Sequence, residues 1–454
     1  MEPRQVRTVQ DARRIVEERQ LTHVKIGVFD HDGVLRGKYM SRSKFLSSLE
    51  NGFGFCDVVL GWDSNDQLYD NVTYTGWHTG YPDASVRIVP ESCRELPFEQ
   101  TLFFLGEFAD DAAALCPRNL LRRVIQKAED MGFRSRAGFE YEFFVFDETP
   151  TSAAEKGYRD LKPFTPGNFG YSMLRSSVHS ELYEELMTLC EEMDFPLEGL
   201  HTETGPGVLE AAIGVDEGLS AADKAALFKT FCKVFMQKRD RLATFMAKWS
   251  NDYPGQSGHL HLSLTGPNGE GVFHDPDEPH GMSKRMQHFV AGQARLLPEW
   301  IALISPTVNA YTRLVPGFWA PTQATWGVEN RTVALRVIPG SAKSQRVEFR
   351  IAAADANPYI ALAAALAAGL WGIENEAVLP PAIEGNAYSQ KLPAECAFPR
   401  DLGEAAERLR GSQAAHSYFG SPFVEHYAAH RNWEQREFQK HVTDWELRRY
   451  FEII

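Results

Sequence analysis

Residues 138–146 read GFEYEFFVF, a short aromatic run bounded by Gly138 and by the turn residues Asp147–Pro150. In an extended strand, side chains alternate between faces. Glu140 and Glu142 therefore share a face with Phe144 and Phe146, while Tyr141, Phe143 and Val145 fill the other. Two carboxylates a few ångströms apart, beside apolar rings, repel each other and resist desolvation. Three more stretches repeat the pattern. GHLHLSL (258–264) sets His259, His261 and Ser263 against three leucines. RVEFRI (346–351) sets Arg346, Glu348 and Arg350 against Val347, Phe349 and Ile351. TVALRV (332–337) sets Thr332, Ala334 and Arg336 against Val333, Leu335 and Val337, and HTETGPGVLEAAI (201–213) carries Glu203 and Glu210 around a Gly-Pro-Gly turn.

Taken singly, each strand fits a half-exposed sheet with a solvated side. A solvated side would carry Lys, Thr and Ser, whereas these carry almost only Glu, His and Arg. If Glu140, Glu142, Glu203, Glu210 and Glu348 converge with His259, two or three divalent cations would neutralise them. Carboxylates with one imidazole suit Mg²⁺ or Mn²⁺, and the absence of Cys from the set argues against structural zinc. Arginines beside such ions grip phosphate or carboxylate with two parallel hydrogen bonds. There is no P-loop and no dinucleotide fingerprint, so the set points to phosphoryl transfer from ATP on another scaffold.

The elements that must hold these residues are partly readable. Residues 1–22 read as a helix, and HVKIGVFDHDGVLRGKYM (23–40) as a hairpin around a His-Asp-Gly turn. Val86–Val89 and Thr101–Leu105 add strands, giving a small, mostly β domain over 1–112; the rest, 113–454, forms a second domain. The spacing predicts helices from Pro117 to about Gly132, over 180–193 and over 220–246, with a charged helical tail from about 399. The longest apolar run, Ile360–Ile373, is Ala-rich and too short to span a bilayer, so it reads as a buried helix.

Composition sets the outer limits. The 454 residues are 43% hydrophobic and 24% charged, ordinary for a soluble fold. A net charge of -14 disfavours nucleic-acid or anionic-membrane partners. The charged N-terminus shows no signal-peptide core. The six scattered cysteines, with no CxxC pair, fit reduced thiols in a cytoplasm.

In order and spacing, the stretches FDHDGVLRGKYM, FEYEFFVFDE, HTETGPGVLEAAI, GQSGHLHLSL, NAYTRLVPG, ENRTVALRV, KSQRVEFRIAAADANPYIALAAALAAGL and VTDWELRRYFEII resemble the glutamine synthetase family over most of the chain. The tail and the DANPYIALAAAL helix look closest to its γ-glutamyl-amine ligases. The resemblance implies an α+β fold: an N-terminal β-grasp domain, then a catalytic domain with a curved antiparallel sheet backed by helices. It implies a homo-oligomeric ring, hexamer or double-ring dodecamer, with active sites between subunits. By the same resemblance, Glu142, Glu203 and Glu210 hold one Mg²⁺ or Mn²⁺, and Glu140, Glu348 and His259 hold a second near the ATP phosphates. Arg313 would bind the α-carboxylate of glutamate, with Gly255 also on the substrate side. Arg350 would hold the γ-carboxyl, and Arg331 would assist phosphoryl transfer. Arg336, Arg346, His261, Ser263 and Lys343 would serve the nucleotide. The stretch from Arg336 to Arg346 is one residue shorter than in glutamine-forming enzymes. The implied reaction phosphorylates the γ-carboxylate of L-glutamate, and an amine then displaces phosphate.

Two departures bear on that amine. Trp319 stands where glutamine-forming relatives carry a Glu that closes the site and helps deprotonate ammonium. Cys56, in FCDVVL, stands where they carry an Asp that helps hold it. Neither residue offers an anion, so the expectation is a larger, more apolar nucleophile pocket in which Trp319 receives a bulky organic amine. Three other readings compete: a glutamine synthetase with a rewired flap, a non-catalytic relative, and a metal-dependent amidohydrolase. The intact ligand set opposes the second. The late position of the HxH pair opposes the third.

Overall fold

A computed structural model describes residues 1–454. Five strands make the first sheet, in the order β2-β1-β5-β4-β3: β1 (His23–Phe29), β2 (Leu35–Ser41), β3 (Phe53–Cys56), β4 (Asp83–Leu96) and β5 (Thr101–Phe108). The expected hairpin is β1–β2, paired antiparallel from His23↔Ser41 to Phe29↔Leu35. Its turn is held by the Asp30 carboxylate, which accepts from the Asp32 and Val34 backbone N–H groups. The N-terminal helix is shorter than the spacing predicts. A 3₁₀ turn at Pro3–Gln5 precedes a helix over Val9–Glu18, which Thr8 and Asp11 cap reciprocally. One hydrophobic core draws only on residues between Val6 and Cys116.

The second sheet has nine strands: β6 (Arg134–Phe146), β7 (Leu197–Thr202), β8 (Val208–Ile213), β9 (Asp216–Glu217), β10 (Leu242–Thr244), β11 (Gly258–Thr265), β12 (Trp326–Val328), β13 (Leu335–Ile338) and β14 (Arg346–Phe349). Its main path runs β12-β13-β14-β11-β6-β8-β7, antiparallel except for β12–β13. The strands' apolar faces, Tyr141, Phe143, Leu260, Leu262, Val347 and Phe349 among them, enter one core of 86 buried residues. Helices back that face. The Pro358–Glu374 helix, apolar on all sides, is buried almost throughout, as its composition requires.

The run over 220–246 is not one helix. The helix spans Gly218–Gln237, the chain turns at Asp240 (φ 54°), and β10 follows. Pairing of Leu242–Thr244 with Phe144–Phe146 satisfies backbone groups along β6. It also seats Phe245 with its ring centroid 5.2 Å from Phe143 and 6.0 Å from Tyr141. Tertiary pairing here overrides a helical period. In TVALRV only Leu335–Val337 enter β13; Val333 turns into a small cluster with Ile383 and Ala387.

Candidate active site

The polar face of the second sheet is ordered by strand register. Glu142 lies directly across from Glu210, which lies across from His201. Glu140 pairs with His259, and Glu348 pairs with His261 on one side and Arg336 on the other. Above these rows is a cavity of about 750 Å³. It collects all six residues expected as metal ligands, Glu140, Glu142, Glu203, Glu210, His259 and Glu348, and also Arg331, Arg336, Arg346, Arg350, His261, Gly255 and Trp319. A larger groove near Trp371 and Tyr418 carries no comparable set.

Like charges directly opposed across a ladder destabilise it. Burial, with Glu210 beside it, pushes the Glu142 carboxyl up to about 7, although His259 and the Ser257 N–H (2.6 Å) oppose the shift. At Glu140 burial also acts upward, but hydrogen bonds from His259 and His261 outweigh it and hold the carboxyl well below its usual range. His259 Nδ1 lies 3.6 Å from Glu140 and 3.5 Å from Glu348. Glu348, 2% exposed, also pairs with Arg350 and with Arg336 (3.0 Å). Within the cavity, two groups bring their ligand atoms within 4.8 Å of one another: Glu140, His261 and Glu348, and His201, Glu203 and Glu210. An oxygen-rich set with imidazole and no thiolate fits hard divalent cations.

His201 is the residue the sequence reading passed over. It lies two residues before Glu203, which follows the end of β7, and the alternation that marked the other strands would have found it. Burial opposes its charge, but Glu210, the Thr202 carbonyl and Glu203 together raise it to about 8. Tyr171 stacks on it at 4.5 Å. Tyr171, Phe318 and Ser257 also line the cavity, supplied by loops with no sequence period.

Three expected residues lie outside the cavity lining: Arg313, Ser263 and Lys343. Ser263 sits at the far end of β11 opposite Arg136, and Lys343 is exposed in the turn between β13 and β14. Arg313 is 1% exposed and packs against Gly255, where an added Cβ would fall 2.6 Å from its Cγ and 2.5 Å from the Ala247 carbonyl. Glycine is therefore required at 255 by close approach. At the cavity mouth, Phe318 lies under the Lys248 ammonium at 4.3 Å. Trp319 is 57% exposed and held at φ 61°. Cys56 lies outside this cavity; its Sγ lies 3.5 Å from the Tyr81 carbonyl.

Comparison with known proteins gives one consistent answer. Residues 114–450 match the family model "Glutamine synthetase, catalytic domain". The chain is 46% identical to "Type-1 glutamine synthetase 2" of Dictyostelium discoideum, over 95% of this chain and 84% of that protein. It is 36% identical to the glutamate–isopropylamine ligase of a Pseudomonas species, over 97% of each. It is also 36% identical to a gamma-glutamylethanolamide synthetase of Streptomyces coelicolor, over 98% of this chain and 96% of that one. The fold is similar to that of apo GmaS, with a TM-score of 0.84 at 24% identity, covering 97% and 99% of the two chains. The chain belongs to the glutamine synthetase family, whose members are ligases dependent on ATP and divalent metal.

Proposed function

We propose that this chain joins the γ-carboxyl of L-glutamate to an organic amine, preferring a bulky or hydrophobic amine to ammonium. The observation that carries this reading is Trp319, an exposed indole lining the mouth of the carboxylate cavity beside Phe318. An ammonium ion needs an anion to hold it and a base to take its proton, and an indole is neither. It offers apolar area and a π face, which favour an alkyl or aromatic amine by about 1 kcal/mol or more beyond area burial.

In the first step a γ-carboxylate oxygen of glutamate attacks the terminal phosphorus of ATP and ADP leaves. In the second the amine nitrogen attacks the acyl carbon, phosphate departs and the nitrogen loses a proton. Glu142, Glu203 and Glu210, and Glu140, Glu348 and His259, are the residues that would hold Mg²⁺ or Mn²⁺, which when bound supply positive charge to the phosphates. Arg331, Arg336, Arg346 and Arg350 converge on the same space and can clamp carboxylate and phosphoryl oxygens. Closure over them excludes water from the acyl phosphate. The working unit in this reading is a homo-oligomeric ring with active sites between neighbours, supported by the exposed apolar run beside Tyr171.

The relative named as a type-1 glutamine synthetase favours a second reading, ammonium as the nucleophile. ADP release with glutamate, ATP and Mg²⁺ or Mn²⁺ across ammonium, polyamines, alkylamines and aromatic amines separates the two. The expected result is a kcat/KM for a hydrophobic monoamine at least about tenfold above that for ammonium, or ~1.4 kcal/mol. Trp319→Glu should narrow or reverse the ratio. Equal use of ammonium would restore glutamine synthesis.

A further inference from the structure

Outside the carboxylate cavity, three histidines meet in the interior. His31 comes from the turn between β1 and β2, and His426 and His430 from the Ser421–Phe438 helix. Their exposures are 3%, 6% and 0%. Spacing of four residues puts His426 and His430 on one helix face. Their ring centroids are 4.2 Å apart, and that of His31 lies 5.4 Å and 4.8 Å from them. One nitrogen from each lies within 4.8 Å of the others. None of the three lines the cavity described above.

The hydrogen bonds show which nitrogens are free. His31 Nε2 lies 2.8 Å from the Leu115 carbonyl and His426 Nε2 lies 2.8 Å from the Leu60 carbonyl. A carbonyl can only accept, so both Nε2 atoms carry the proton and both Nδ1 atoms present a lone pair. This is how metal-bound histidines are oriented, by donating the remote N–H to a backbone oxygen. His430, fully buried and stacked on Tyr69 at 4.1 Å, has no hydrogen-bond partner on either nitrogen. An unpaired polar group so deep in a fold calls for an explanation. Nearby, the charge of the Arg431 guanidinium is offset by two carboxylates, Asp32 (2.7 Å) and Glu434 (3.5 Å).

We propose that His31, His426 and His430 form a binding site for a d-block divalent cation, of which zinc is the best fit. Three imidazoles suit zinc and not magnesium. Zn–N bonds of about 2.0–2.1 Å require ligand nitrogens roughly 3.3 Å apart, so the trio closes by at most about 1.5 Å around the ion. The fourth position is left to water. The ion ties the β1–β2 turn to the Ser421–Phe438 helix, a structural role separate from catalysis.

The test uses the whole chain in excess Mg²⁺, which fills the carboxylate sites, followed by zinc titration and gel filtration. Wild type and Glu142→Ala should each retain about one zinc per chain, and His430→Gln and His426→Gln should bind at least tenfold more weakly. Cobalt substituted for the zinc should show intense tetrahedral visible bands. Zinc retention by His430→Gln equal to wild type would overturn the site. If the variants do not fold, the wild type alone decides. Tetrahedral cobalt bands together with a zinc-dependent rise in melting temperature support the site. A zinc-insensitive melting temperature, or only the weak bands of six-coordinate cobalt, overturns it.

Discussion

Arg313 donates to the Ile351 carbonyl (2.9 Å), the Arg350 carbonyl (3.2 Å) and the Ser257 hydroxyl (2.9 Å). Burial lowers its guanidinium to about 10, which leaves it charged at neutral pH. Those partners fix the backbone from which Arg350 reaches Glu348 and the cavity. Hydrogen bonds to a charged group contribute about 1.5–3 kcal/mol each. Arg313→Ala should therefore cost about 3 kcal/mol or more, lower Tm by several degrees, and raise the KM for glutamate through a displaced Arg350. A raised KM with an unchanged Tm would mean that Arg313 meets the substrate directly. Glu140, Glu142, His259, Glu348 and Arg350 were legible in the sequence because strand alternation needs only backbone geometry. The placement of Arg313 was not legible, since it depends on how the 306–320 segment, with its single helical turn Ala310–Arg313, folds against Gly255, which no period encodes.

Arg118 joins three elements through one guanidinium, and a fourth meets it at a shared aspartate. It leaves the Pro117–Asp130 helix to bond Glu107 of β5 (2.6 Å) and both carboxylate oxygens of Asp223 on the Gly218–Gln237 helix (2.9 and 3.0 Å). Tyr359, on the Pro358–Glu374 helix, donates to the same aspartate (2.7 Å). Burial pushes the Glu107 carboxyl up, but Arg118 and Arg122 outweigh it and hold it below its ordinary 4.5. A carboxyl lowered in the fold adds stability above the unfolded value and loses it as pH falls through the folded one. Arg118→Leu would leave two buried carboxylates short of a partner, at a cost of about 3–5 kcal/mol. Chemical denaturation at pH 7 and pH 4 checks this. The deficit should be large at pH 7 and smaller at pH 4, where protonation relieves the orphaned acids. An equal deficit at both would locate the damage in packing instead. The sequence announced these helices by their apolar spacing but not this ionic joint, because Glu107, Arg118 and Asp223 lie up to 116 residues apart. It also misread 238–246, where pairing with β6 decided the structure.

At the scale of the whole molecule, two runs of apolar side chains face solvent. In the tail, Val442, Trp445, Phe451, Ile453 and Ile454 are exposed, and the Asp444–Tyr450 helix has no buried residue. Beside the cavity, Phe169, Tyr171, Met173, Leu174 and Val178 are each more than half exposed. Runs of this kind mark surfaces that other molecules cover. The two differ in consequence, because Tyr171 lines the cavity and the tail does not. A neighbouring subunit seated on 169–178 would wall the site, exclude water and steady His201 through its stacked Tyr171. One seated on the tail would only join particles. Light scattering should therefore find the wild type as a multi-subunit particle. Leu174→Asp should shrink that particle and reduce ADP release at least about tenfold, with the far-UV CD spectrum unchanged. Trp445→Asp, in the tail, should alter particle size while each remaining site keeps its turnover. A Leu174→Asp protein that is smaller yet fully active would separate assembly from catalysis and leave the cavity complete within one chain.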